Sequence, residues 1–172
     1  MTGGFSTVIG LDVADELPII KVIKAELVEL KHELAVDLPQ QIETARDHGD
    51  LSENAEFHAA KERQGLVHAR VGMLTARLSE LSRYDLSSVP VGKVGYGSRV
   101  TVADVDSGDE RFYELVFPEE TAPEKGRISL QSPVGQALLH KQVGDEAVVR
   151  SPSGKRTYEI LELLTVHDRK AD

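Results

Sequence analysis

An α+β fold in two parts is predicted by three features of the 172-residue chain. Through Tyr84 the apolar residues recur every three or four positions, the period of a helix. Beyond Gly97 they alternate, and β-branched residues concentrate, as in strands. Between the two regimes lies a stretch rich in Gly, Ser and Pro. The expected architecture is an N-terminal antiparallel two-helix coiled-coil hairpin over 1–84, a linker over 85–97, and a small, mainly antiparallel β domain with one short helix over 98–172.

Residues 1–14, with Gly3, Gly4 and Gly10, hold no sustained period and read as a loose lead-in. Asp15, Glu16 and Pro18 supply the chemistry of a helix start. Apolar residues then fall at Ile20, Ile23, Leu27, Leu30, Leu34, Leu38, Ile42 and Ala45. This is a coiled-coil seam, but the repeated four-residue steps around Leu34–Ile42 leave one residue of slip. Pro39 sits at that slip and has no N–H to donate, which predicts a kink or local unwinding. After Gly49 a second seam runs through Phe57, Ala60, Gln64, Val67, Val71, Leu74, Leu78 and Leu81 in strictly alternating steps of three and four. Neither helix buries its stripe alone, so the two pack antiparallel. At 1.5 Å per residue, about 30 residues in each make a hairpin roughly 45 Å long.

Beyond the linker, Arg99–Ala103, Arg111–Phe117, Ile128–Leu130, Glu146–Arg150 and Arg156–Leu164 carry strand patterns. Turn-forming residues at 106–109, 118–126 and 151–154 separate them. Gly135–His140 is expected as the short helix, completing a compact module of about five strands.

Composition narrows the function. Acidic residues outnumber basic ones by 29 to 20, a formal net charge of −9, and both halves are acidic: 14 to 9 through Tyr84, 15 to 11 beyond it. Bulk attraction to a phosphate backbone is therefore disfavoured. The absence of cysteine removes disulfides, thiolate nucleophiles and Cys-ligated zinc. With aromatics at 5% and no Trp, stacking platforms for single strands are poorly supplied. No apolar run approaches the roughly 20 residues of a membrane span. Met1–Phe5 lacks the pattern of a signal peptide. A cytoplasmic location without membrane attachment is the expectation.

The loop between the helices concentrates Asp47, Asp50, Glu53 and Glu56 around Gly49. Carboxylates held close together repel, and such groups are candidates for metal or proton chemistry. The alternative is structural: Asp50-x-x-Glu53 ahead of a helix is close to a capping box, with Asp50 as N-cap and Glu53 at N3. Arg63, Arg70 and Arg77 share one face of the second helix at seven-residue spacing, near Lys61 and Arg46, and could be an ordinary solvated face. His48, His58 and His68 do not share a face and do not make a metal set.

The run from Gly49 to Glu62 (Gly-Asp-Leu-Ser-Glu-Asn-Ala-Glu-Phe-His-Ala-Ala-Lys-Glu) resembles the coiled-coil tip of the bacterial Gre transcript-cleavage factors, nearer the GreA than the GreB type. A second match runs from Ile128 to Leu139, followed by Val143-Gly144-Asp145 and Tyr158-Glu159-Ile160. It resembles the family's C-terminal domain, which has an FKBP-like fold. The resemblance implies a monomeric accessory factor that is not itself an enzyme. Its C-terminal domain docks beside the secondary channel of bacterial RNA polymerase, and its coiled coil enters the channel. Asp50 and Glu53 match the acidic pair that helps hold a second Mg²⁺, shared with the polymerase, and its attacking water. The backtracked RNA 3′ end is then cleaved. Arg46, Lys61, Arg63 and Arg70 correspond to a basic patch facing that RNA, and Ser132, Pro133, Val134 and Gln136 to the docking region.

Departures qualify the match. Phe57 stands where many relatives carry Tyr, Gln136 where an Arg is frequent, and the segment before Leu17 is an extension. Three other functions are therefore weighed: a channel-binding inhibitor that does not promote cleavage, a peptidyl-prolyl isomerase or chaperone acting through the second domain, and a generic coiled-coil adaptor. Retention of both tip carboxylates argues against the first, and the shortage of aromatics against the second.

Overall fold

The computed structural model describes residues 16–168; the lead-in expected at 1–14 lies outside them. These residues form two compact units, Glu16–Tyr84 and a second unit from Asp85 onward. Among the described residues no helix is long and apolar enough to cross a membrane.

In the first unit, α1 (Pro18–His32) begins with its proline, while Glu16 just ahead of the helix pairs with Lys24. One turn of π-helix, Glu33–Asp37, joins α1 to α2 (Leu38–Asp47). In that turn the Leu38 N–H bonds to the Glu33 carbonyl five residues back. The expected slip is thus absorbed just ahead of Pro39. Widening the turn accommodates one extra residue, and a proline ring that would crowd an α-helical carbonyl four residues back is tolerated. Leu38, Ile42 and Ala45 are brought back into line with Ile20, Ile23 and Leu27, and all six are buried. Leu30 and Leu34, which straddle the phase change, are half-buried.

α3 (Ala55–Leu81) packs against both α1 and α2. Ala60, Val67, Leu74 and Leu81 are buried at heptad spacing, while Phe57, Gln64, Val71 and Leu78 are half-buried along the alternate row. The single polar seam residue, Gln64, accepts a hydrogen bond from Lys61 at 2.8 Å.

The second unit is a five-stranded sheet: β1 (Arg99–Asp104), β2 (Glu110–Val116), β3 (Arg127–Ser129), β4 (Glu146–Ser151) and β5 (Gly154–Leu164), in the order β3-β2-β1-β5-β4. β2 and β3 run parallel, and the other three pairs are antiparallel. A bulge between Thr101 and Val102 shifts the β1–β5 register, so that Thr101 faces Glu162 and Val102 faces Ile160. Val100, Val102, Leu115, Leu138, Ala147, Tyr158 and Ile160 form the core, with α4 (Pro133–Leu138) packed on it. This is the mainly antiparallel, FKBP-like module with one short helix that was expected.

Residues 85–97 differ from the expected linker. Val94 is fully buried in the second core, its N–H donates to the Lys141 carbonyl at 2.8 Å, and its carbonyl accepts from His140. The Gly97 N–H donates to Leu115, and Leu86, Val89 and Tyr96 are buried as well. The Gly and Ser that mimic a linker make turns here: Gly92 and Gly97 adopt positive φ, and the Ser98 hydroxyl accepts from the Gly95 N–H.

Leu38 is buried completely at the end of the π turn, whereas Val36, inside the turn, is 48% exposed. Leu38→Ala should destabilise the helical unit by about 2–5 kcal/mol in urea titrations, and Val36→Ala by less than about 0.5 kcal/mol. Equal losses would mean that the turn does not restore the seam's phase.

Candidate functional site

The tip connects α2 to α3, and its local chemistry is set by two side chains. Asp50 does not cap α3. Its Oδ1 accepts from the Ser52 N–H and from the Ser52 hydroxyl, each at 3.0 Å, closing a small Asx turn. The N-cap of α3 is Asn54, four residues later, whose Oδ1 accepts from the Phe57 N–H at 3.0 Å. Asp50-x-x-Glu53 is therefore no capping box, because the helix begins at Ala55 and Glu53 lies before its cap. Sequence reasoning missed Asn54; its signal was an Asn immediately before the second apolar seam.

Asp50 and Glu53 are both exposed, and Glu53 makes no hydrogen bond or ion pair among the described residues. The Ser52 N–H, and after it the hydroxyl, hold the Asp50 carboxyl below the ordinary carboxylate value. Its Oδ2 makes no bond among the described residues. Such a donor set fits Mg²⁺, which takes one or two carboxylates and keeps several waters. Among the described residues no three His, Asp or Glu side chains converge as a metal cluster. Around the loop, His48 approaches Glu56 at 3.7 Å, His58 Nε2 lies 3.3 Å from the Ser52 carbonyl, and the Arg46 guanidinium lies 5.8 Å from the Phe57 ring centre.

The basic residues are already engaged. Arg63 Nε and Nη2 donate to the two carboxylate oxygens of Glu33 at 2.6 and 2.8 Å. One heptad away on each helix, Arg70 grips Glu26 in the same way at 2.7 and 3.1 Å. Two matched forks at equal spacing report the antiparallel register directly. Arg77 pairs with Glu80 on its own helix at 2.7 Å. Arg46, Lys61, Arg63 and Arg70 thus do not make a bare cationic patch. The two fork arginines are half-exposed and keep Nη1 without a partner among the described residues.

In the second unit the four expected docking residues come together at the start of α4. The Ser132 hydroxyl caps the helix by accepting from Gly135 N–H at 3.0 Å, and donates to the Ser129 carbonyl at 2.7 Å. Val134 is half-buried against the core, while Pro133 and Gln136 are exposed. Gly135 is required here, since a Cβ would lie 2.1 Å from the Ser129 carbonyl oxygen. A cavity of about 310 Å³ adjoins the segment, lined by Pro133, Val134, Arg111, Tyr113, Arg156 and Tyr158.

Two family models match the chain: "Transcription elongation factor, N-terminal" over residues 20–82 and "Transcription elongation factor, GreA/GreB, C-term" over 89–165. The chain belongs to the GreA/GreB family of transcription elongation factors. Transcription elongation factor GreA of Desulfotalea psychrophila is 42% identical over 84% of this chain and 90% of its own length. That of Solidesulfovibrio magneticus is 48% identical over 71% and 74%. Among solved structures, GreA factor homolog 1 of Thermus thermophilus is 26% identical and covers 84% of this chain and 94% of that one, with a TM-score of 0.38. The C-terminal GreA/GreB match begins at Val89, inside the segment that had read as a linker.

Removing the Ser52 hydroxyl removes one of the two donors to Asp50. Ser52→Ala should raise the Asp50 pKa part of the way to its ordinary value, read by carboxylate NMR titration, and an unchanged value would refute the Asx turn in solution. Arg63 holds the Glu33 carboxyl below its ordinary value, chiefly through the fork's hydrogen bonds. A depressed folded-state pKa gives a contribution that is present above the unfolded value and lost as pH falls through the folded one. Glu33→Arg should lower the melting temperature at pH 7, and the double swap Glu33→Arg with Arg63→Glu should restore much of it. The single variant's deficit should shrink below pH 4.

Proposed function

We propose that this GreA/GreB-family protein acts on bacterial RNA polymerase as a cleavage-stimulating factor and is not an enzyme by itself. The second unit docks through the segment 132–136, and the hairpin enters the secondary channel as a monomer in the cytoplasm. The tip then reaches the polymerase active site when the RNA has backtracked. Asp50 and Glu53 are the residues that would help hold a second Mg²⁺ shared with the polymerase. When bound, that ion supplies Lewis acidity and an activated water for phosphodiester hydrolysis. The observation that carries this reading is that neither tip carboxylate is spent on capping α3: Asn54 has that role, and Asp50 remains an exposed carboxylate whose second oxygen has no partner among the described residues.

The residues' own contributions follow from their chemistry. The Ser52 donors hold Oδ1 of Asp50 and so orient its carboxylate, which presents Oδ2 with less entropy left to lose. Glu53 contributes a second carboxylate immediately before the cap. Arg63 and Arg70, with Nη1 unpartnered among the described residues, offer donors to RNA phosphates without breaking the forks that hold the helices in register.

The test is RNA release from backtracked bacterial polymerase complexes in Mg²⁺ buffer, with the wild-type protein and with Asp50→Asn. An Asn oxygen still accepts from Ser52, so the turn survives while the charge is lost. Wild type should release short 3′ fragments and Asp50→Asn should release none, at unchanged helix content. Full cleavage by Asp50→Asn would refute the metal-assisting role.

A further inference from the structure

We infer that Asn54 is the positioning residue of the acidic tip, and that its one side-chain amide sets where Asp50 and Glu53 stand. This rests on the cleavage role proposed above. The Asn54 side chain reaches both helices at once: Nδ2 donates to the Ala45 carbonyl of α2 at 2.6 Å, and Oδ1 accepts from the Phe57 N–H of α3 at 3.0 Å. The residue itself takes an extended conformation, φ −82° and ψ 96°, and is half-buried. Ala45 is almost fully buried at the seam, so its carbonyl is a rigid anchor. Residues 46–53, which include both carboxylates, hang between the two points that this amide clamps together.

The other restraints on the loop are weaker. His48 N–H to Ala45 and Gly49 N–H to Arg46 are long, at 3.3 and 3.5 Å, and both stay within the end of α2. The Asp50–Ser52 turn is local. The contacts that reach across here, Arg46 over Phe57, His48 to Glu56 and His58 Nε2 to the Ser52 carbonyl, are exposed and lie at 5.8, 3.7 and 3.3 Å. Glu53 is bonded to Asn54 in the chain, so a shift of the clamp moves it directly.

Few side chains meet this requirement. An amide carries a donor and an acceptor in one plane, at the reach needed here. Aspartate caps a helix as well as asparagine but has no donor, and it would set a carboxylate oxygen against the Ala45 carbonyl oxygen. Serine also caps, adds no charge, and is too short to reach Ala45. Both Asn54→Asp and Asn54→Ser therefore keep the α3 cap and lose the bond across the neck of the loop; the serine variant does so without adding charge, and the aspartate variant keeps the side chain's size.

Both variants should retain wild-type helix content by circular dichroism and protection of the Phe57 amide in hydrogen exchange, while amides of residues 47–53 exchange faster. In backtracked bacterial polymerase complexes, the cleavage rate at saturating factor should fall about ten- to hundredfold, as expected for displaced reacting groups. The factor concentration for half-effect, and competition against wild-type protein, should not change. Raising Mg²⁺ should recover part of the rate for the Asn54 variants and none for Asp50→Asn. Wild-type cleavage by both variants, or a loss explained entirely by weaker polymerase binding, would overturn the inference. If the wild-type protein itself released no RNA, the proposed function would fail, and the exchange data would still decide the clamp: unaltered exchange at 47–53 in both variants would refute it.

Discussion

The helical unit depends on one geometric constraint: the α3 stripe must stay in contact with a partner helix whose own stripe slips by a residue. Ala60, Val67, Leu74 and Leu81 repeat every seven positions without interruption. On the opposing strand of the hairpin, Ile20, Ile23 and Leu27 would drift out of phase with Leu38, Ile42 and Ala45 if the helix continued as regular α. The π turn at Glu33–Asp37 takes up the difference. Because a packed interface has no room for a gradual mismatch, the correction is concentrated in one turn, immediately before a proline that weakens the ladder there.

The tip inherits that correction. Ala45 comes to rest against α3 because the seam is back in phase, and only then does its carbonyl lie within reach of Asn54. The arginine forks at Glu33–Arg63 and Glu26–Arg70 record the same alignment on the surface, one at the π turn and one a heptad away. Each fork is half-exposed, so its contribution is to direction and register more than to bulk stability. The apolar seam supplies the stability, and the polar groups choose one alignment among those it allows. The acidic loop is then carried on a base whose position is fixed from both sides.

The second unit is held by a different logic. Its sheet closes around an apolar core to which residues ahead of β1 also contribute, with Val94 pinned between His140 and Lys141 by backbone bonds. α4 is drawn close to β3 by a contact that admits only glycine at 135. Ser132 spends its hydroxyl on that arrangement, which leaves Pro133 and Gln136 as the outward-facing members of the segment.

Much of this was legible in the residues alone. Periods of 3.5 and 2 are direct consequences of how side chains are arranged on helices and strands, so the hairpin, the five strands and the slip near Pro39 followed from local pattern, and the acidic loop from composition. The family likeness of residues 49–62 and 128–139 also needed no coordinates. Three matters were decided only by tertiary structure. That Asn54, besides capping α3 locally, also ties the tip to α2 depends on its amide reaching the Ala45 carbonyl, a partner nine residues away. Whether Arg63 and Arg70 stand free depends on which carboxylates the opposing helix brings alongside, 30 and 44 residues distant. Whether residues 85–97 are a linker depends on a core assembled from the rest of the sheet. A sequence reports periodicity over a few turns. Partners separated by a loop or a whole strand are chosen by the packed fold, because burial and hydrogen-bond satisfaction are properties of the assembled chain.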